Sequence, residues 1–241
     1  MVETLKRRIK ILMGIPVHKP DDRFLESLPK FVEACSKNYE VQVITVPGCS
    51  LVDAQNKISD YFMHQTDYDY LLIMEDDHWG HTKAMLDSLI SKDVEVCAMN
   101  YYSRHFPFIQ CLMRELDGKK NIVERYAGLH YEEGFHKVVM AGFAMMLIKR
   151  SVFAELEKPY FRLNEEGGDL NFATDISFSV RLLKAGIDIW GCFDYILPHR
   201  DITKENRLEK FKEGLEKFRL EEIRLKIEKL RKLKGVYLVC P

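Results

Sequence analysis

Apolar residues recur in short blocks along this chain, and the spacing inside each block predicts an element. Residues 9–15 are apolar apart from Lys10 and Gly14 and stop at Pro16, which predicts a first strand feeding a loop through Lys19-Pro20-Asp21-Asp22. Over 24–35 the positions Leu25, Leu28, Phe31 and Val32 fall at helical spacing, with Pro29 predicting a late start or a kink. Residues 39–46 read as a second strand ending at Pro47-Gly48, and Val52, Ile58 and Phe62 predict the next helix. Residues 70–74 form a continuous apolar run, the pattern of a strand buried on both faces. A helix over 83–90 and a strand over 94–99 extend the alternation.

Strand followed by helix, repeated over the first hundred residues, predicts an α/β fold: a Rossmann-like, mostly parallel sheet flanked by helices, with ligands at the carboxyl ends of its strands. The rhythm then changes. Residues 101–136 hold two predicted strands around the turn dipeptide Asp117-Gly118, a hairpin signature. A long apolar run over 138–148 contains Gly142 and leads into a helix over 149–156, and a further helix over 177–185 is closed by Gly186. Residues 203–234 predict an amphipathic helix rich in Lys and Glu. Its apolar positions Leu208, Phe211, Leu215, Phe218, Ile223, Leu230 and Leu233 follow a period near 3.6, which favours packing on the body of the protein over a coiled coil. The expected organisation is one catalytic domain over 1–200 and a C-terminal helical extension over 201–241.

Composition narrows the class. With 46% hydrophobic and 30% charged residues in 241, the chain can bury one substantial core. No apolar stretch approaches the roughly 20 residues that cross a bilayer, and the basic Lys6-Arg7-Arg8 start leads into too short an apolar run for a signal peptide, so the expected compartment is the cytoplasm. The six cysteines are scattered without a C-x-x-C pair, which argues against a zinc knuckle or a disulfide scaffold. A net charge of -1 offers no reason to expect nucleic acid as a partner. The C-terminal segment carries a local excess of Lys and Arg over Glu; a solvated face explains it, and peripheral contact with an anionic membrane is the alternative.

The densest chemistry sits where the buried run ends, at Glu75-Asp76-Asp77-His78. Adjacent carboxylates repel unless donors, water or a cation offset the charge, and a hard divalent ion is the usual answer. A solvated turn or a helix cap is the plainer reading of acids after a strand. Their density behind a fully apolar strand favours the ion.

The chain then resembles the GT-A class of nucleotide-sugar glycosyltransferases, in particular the large inverting family 2 type, over roughly residues 10–199. Leu71-Leu72-Ile73-Met74-Glu75-Asp76-Asp77 looks like that class's buried strand and D-x-D motif, with Glu75 in place of the first Asp. Gly142 to Phe153 is similar to its glycine-led strand and following helix. Thr174-Asp175-Ile176-Ser177 resembles its acidic helix start, with Thr174 in place of the first acid, and Leu197-Pro198-His199 looks like its post-strand histidine.

The resemblance implies a metal-dependent transfer of a sugar from a nucleotide-diphosphate sugar to an acceptor hydroxyl on a glycan, lipid or protein. Mn²⁺ or Mg²⁺ would bridge the two phosphates. Asp77 is the implied direct ligand, with Asp76 and His199 completing the metal set, and Glu75 and Asp76 also implied at the ribose or at metal-bound water. Asp175 is the implied general base of an inverting reaction. Pro16, His18 and Asn56 are the implied contacts of the nucleotide, and Trp79, Trp190, Tyr101 and Tyr102 are candidates for a sugar-stacking surface. Two alternatives stand beside this reading. One is a nucleotidyltransferase of related fold, although residues 16–22 lack a glycine-rich basic loop. The other is a non-catalytic scaffold that uses the basic C-terminal helix.

Overall fold

The computed structural model describes residues 7–103, 111–113, 133–163 and 174–203, and beyond them positions 206, 209, 210, 213, 214, 217 and 221. Its first half alternates as the apolar pattern predicts: β1 (Lys10–Val17), α1 (Asp22–Ser36), β2 (Glu40–Pro47), α2 (Leu51–Gln65), β3 (Tyr70–Ile73), α3 (Lys83–Ser91) and β4 (Val96–Tyr101). The second half holds β5 (Leu112–Met113), β6 (Phe135–Val138), β7 (Met140–Ala141), β8 (Met146–Lys149), α4 (Arg150–Glu155), α5 (Thr174–Lys184) and β9 (Ile189–Leu197). The hairpin expected around Asp117-Gly118 lies outside the described residues. So does most of the C-terminal segment, of which Glu209, Lys210, Glu213, Gly214, Lys217 and Glu221 are helical. Among the described residues no helix is long and apolar enough to cross a membrane.

Seven strands form one sheet in the order β2-β1-β3-β8-β4-β9-β6, while β5 and β7 pair apart. β1 runs parallel to β2 and β3, and β4 runs parallel to β9. β8 lies antiparallel between β3 and β4, so those two strands point the same way, and β6 is antiparallel on β9. The carboxyl ends of β1, β3, β4 and β9 therefore share one edge of the sheet.

The period of two along β1 sorts its side chains between two helical layers. Ile11, Met13 and Ile15 join Phe24, Phe31 and Cys35 of α1 and Leu86 and Leu89 of α3 on one face. Leu12 joins Ile58 and Phe62 of α2, Val152 and Phe153 of α4, and Phe178 and Leu182 of α5 on the other. At Gly14 the α2 layer comes closest: a Cβ there would stand 2.3 Å from Ile58 Cγ2.

Three elements depart from the sequence expectation for local reasons. β1 does not stop at Pro16 but continues to Val17, because its ladder with β3 ends at Gly14 and the missing Pro16 N–H costs no bond on that side. α1 does not start late, since the Asp21 side chain accepts from the Arg23 N–H at 3.0 Å and caps the helix at its first turn, and it continues through Pro29 to Ser36. The apolar run over 138–148 splits into β7 and β8 at Gly142, where a Cβ would lie 1.8 Å from the Tyr101 hydroxyl oxygen. That split inserts the antiparallel β8, so the sheet is mixed.

Gly14→Ala should destabilise the protein by about 1–3 kcal/mol, the usual cost of forcing extra volume into a packed layer, with little change in the denaturant slope. Urea denaturation followed by circular dichroism checks this. An unchanged midpoint would show that α2 does not press on β1 at this position.

Candidate metal centre

β3 is buried along its whole length and paired on both edges, so its first polar successors emerge together at the shared carboxyl edge. Asp76 turns towards β1. Its Oδ2 accepts the backbone N–H groups of His18 at 2.8 Å and Lys19 at 3.0 Å, and its carbonyl accepts the Asp21 N–H at 2.8 Å. A buried carboxylate thus shapes the β1–α1 loop through its Oδ2.

Asp77 turns the other way, into a pair of imidazoles. Its Oδ1 stands 3.1 Å from His78 Nδ1 and its Oδ2 3.2 Å from His199 Nε2. The two rings stack with centroids 4.1 Å apart and 19° between planes, and Tyr101 packs edge-on against both, at 4.5 Å from His78 and 5.5 Å from His199. One nitrogen or oxygen from each of Asp77, His78 and His199 lies within 4.8 Å of the others, which makes the three a candidate metal group. Glu75 stands behind them, its Oε2 4.0 Å from His78 Nδ1.

The hydrogen-bond chemistry of this cluster is incomplete within the protein. His199 Nδ1 lies 2.8 Å from the Tyr102 carbonyl oxygen, which only accepts, so Nδ1 carries a proton. Nε2 then faces a carboxylate oxygen, an apposition that needs a proton or a metal ion between the two. His78 is fully buried, its Nε2 has no hydrogen-bond partner, and its Nδ1 is close to Asp77 without being aligned for a bond. Burial drives the His78 ring down to about 3, against the pull of Asp77, so it stays neutral and keeps a lone pair. Burial likewise pushes the Asp77 carboxyl up, while any proton that His199 or His78 donates to it outweighs burial and holds that carboxyl well below the usual range. One carboxylate and two imidazoles with unspent lone pairs suit a divalent cation.

Asp175, on the first turn of α5, accepts from the Ile176 N–H at 2.8 Å, and burial raises its carboxyl above the ordinary value. Its charge and that of Glu75 both bear on Tyr101 and Cys111, which puts the two acids around the same tyrosine. Pro16 and His18 line a cavity of about 270 Å³ with Val17, Cys49, Ser50, Leu51 and Ala54, at the ends of β1 and β2 and the start of α2. A second cavity of about 530 Å³ opens at the opposite end of the sheet. Its cations are spent on structure: Arg150 on the carbonyls of Phe62, Thr66 and Tyr68, Lys149 on Asp93 and Arg7 on Asp69.

The structure therefore brings Asp77 and His199 together and sets Asp76, Pro16 and His18 at the β1 loop, with Asn56 in α2. The Asn56 amide clasps the Phe161 backbone in both directions, at 2.8 and 2.9 Å. Of the four aromatics, Tyr101 and Tyr102 lie at the site but are buried, Trp79 has one face covered by Arg23 at 3.6 Å, and Trp190 belongs to the far end of β9 beneath Lys92. Trp190 is thus removed from the sugar-stacking set. His78 is the residue that sequence reasoning passed over, and its signal was its place directly behind the carboxylates.

No family model matches the chain, and no curated protein matches it in sequence. Among solved structures it is similar to A197 from STIV, at 16% identity over 79% of this chain and 85% of that one, with a TM-score of 0.51. It is less similar to GalNAc-T7, solved with UDP, GalNAc and Mn²⁺, at 11% identity, 80% of this chain, 43% of that one and a TM-score of 0.46. A mycobacterial protein stands at 10% identity, 83% of this chain, 70% of that one and a TM-score of 0.45. At 16% identity the likeness to A197 concerns the fold alone.

Two buried neutral histidines make acid stability predictable. His81 packs against Phe24 and Phe31, and burial lowers its ring to about 4, opposed by its bond to the Ala144 carbonyl. Below an ordinary value of about 6.5 the unfolded chain binds protons that the folded chain refuses, so stability is full above that pH and falls as pH drops towards 4. Each excluded proton steepens that fall by up to about 1.4 kcal/mol per pH unit. His81→Leu should flatten the slope of unfolding free energy between pH 6.5 and 4.5 by about that amount in metal-free protein, as read by urea titration at several pH values. An unaltered slope would contradict a neutral His81.

Proposed function

We propose that this chain is a metal-dependent glycosyltransferase of the GT-A type, which moves a sugar from a nucleotide-diphosphate sugar to an acceptor hydroxyl with inversion. The observation that supports it most is the Asp77–His78–His199 group at the carboxyl edge of the sheet, beside the cavity lined by Pro16, His18, Ser50 and Leu51. Ligands of open α/β sheets bind at that edge. Breaking the bond from sugar to diphosphate leaves negative charge on the leaving phosphates, and a divalent cation supplies the compensating charge when bound. Two imidazoles beside one carboxylate favour Mn²⁺ over Mg²⁺, which prefers an all-oxygen shell.

In this reading Asp77, His78 and His199 hold the cation. Asp76 fixes the loop amides of His18 and Lys19, so the cavity wall beside them is pre-organised for the nucleoside, whose base lies against Pro16, Leu51 and Ala54. Asp175, made more basic by burial, accepts the proton of the acceptor hydroxyl as it attacks.

Product analysis tests the reaction class: sugar transfer or donor hydrolysis releases a nucleoside diphosphate, whereas nucleotidyl transfer releases pyrophosphate. Pyrophosphate as the sole product would replace this reading with the nucleotidyltransferase one. Asp77→Asn should lower Mn²⁺-dependent turnover at least about 100-fold while the circular dichroism spectrum stays unchanged, because it removes charge from a ligand at constant volume. Near-normal turnover across a Mn²⁺ titration would remove Asp77 from the metal set.

Asp175→Asn separates base from cap, since Asn caps a helix as well as Asp does. Single-turnover transfer should fall by about 10² to 10⁴, with donor affinity and melting temperature retained. Transfer at the native rate would leave Asp175 a structural residue.

A further inference from the structure

Three loops meet at the mouth of the metal group, and one side chain touches all of them. Arg23 forks onto Asp21, with Nε to Oδ1 and Nη2 to Oδ2 both at 2.8 Å, and so grips the β1–α1 loop. Nη2 also donates to the Arg200 carbonyl at 2.8 Å, and the guanidinium lies 3.6 Å over the Trp79 ring. Trp79 is the residue after His78, and Arg200 is the residue after His199. Backbone bonds tie the same places together: the Arg200 N–H donates to the Asp77 carbonyl at 3.0 Å, the Trp79 N–H to the Pro198 carbonyl at 3.4 Å, and the Arg200 guanidinium to the Lys19 carbonyl.

We propose that Arg23 is a positioning residue for the metal group: its fork on Asp21 and its stack on Trp79 lock the chain after His78 and after His199 into one register, so that both rings face Asp77. The inference rests on the metal reading above. Folding stability is only part of the arrangement, since the Arg23 side chain is 49% exposed while the Asp21 side chain it forks onto is 9% exposed. Charge does not explain it, because a cation beside a cation site opposes metal binding. A planar fork that stacks and hydrogen-bonds at once is a property of arginine that lysine lacks.

The sign of the effect separates positioning from electrostatics. Mn²⁺ binding to the metal-free full chain is measured by calorimetric titration for the wild type, Arg23→Lys and Arg23→Met, with the melting temperature of each metal-free protein. Positioning predicts that both variants bind Mn²⁺ about 10- to 100-fold more weakly at unchanged melting temperature, the usual cost of losing a group that orients metal ligands. Trp79→Leu, which removes the platform and spares the fork, should weaken binding in the same direction, and Trp79→Phe should restore it. Equal affinity, or tighter binding on loss of the charge, overturns the proposal while leaving the metal site in place. A wild type that binds no Mn²⁺ overturns the site itself, and the proposal with it.

Discussion

Tyr70–Ile73 is apolar on both faces and hydrogen-bonded on both edges, between β1 and β8, and the rest of the site follows from that burial. A strand so enclosed has no place for a charge along its length. Its acids must gather where it ends, next to the ends of β1, β4 and β9. Each acid then finds a different partner: Asp76 takes two loop amides and Asp77 takes two imidazoles. The repulsion between neighbouring carboxylates is relieved by turning them to opposite sides of the chain.

The imidazoles carry the larger cost. A fully buried His78 with an unpartnered nitrogen, stacked on a His199 ring whose other nitrogen is fixed as a donor, is an arrangement that a folded core tolerates poorly without compensation. A divalent ion accepting lone pairs from both rings and Asp77 would remove that cost, which is why the cluster is a candidate metal group. Tyr101 keeps the rings in place from the side, and its hydroxyl fits because residue 142 has no side chain.

Much of this was readable from residue order. The alternation of strand and helix through residue 99, the buried run before Glu75, and the placing of Asp77 and His199 at the same edge follow from patterning and from the resemblance to known enzymes. The antiparallel β8 was not readable, because a continuous apolar run over 138–148 gives no sign that Gly142 must make room for a tyrosine forty residues earlier. Asn56 shows a similar limit: an amide in the second turn of a helix looks the same in sequence whether it meets a ligand or clasps the Phe161 backbone 105 residues away. Trp190 and Trp79 both looked available for stacking, yet a long-range cation lies over one face of each. The misses share one physical cause: each depends on a partner distant in sequence, which local spacing cannot supply.

The central claim is that Asp77, His78 and His199 hold one divalent cation. Anomalous diffraction at the manganese edge, from crystals grown with Mn²⁺ and a nucleoside diphosphate, tests it most directly. A single strong peak contacted by one Asp77 oxygen and one nitrogen from each imidazole is expected. A peak elsewhere in the protein, or Asp77 bonded to both rings with no ion between them at saturating Mn²⁺, would contradict it.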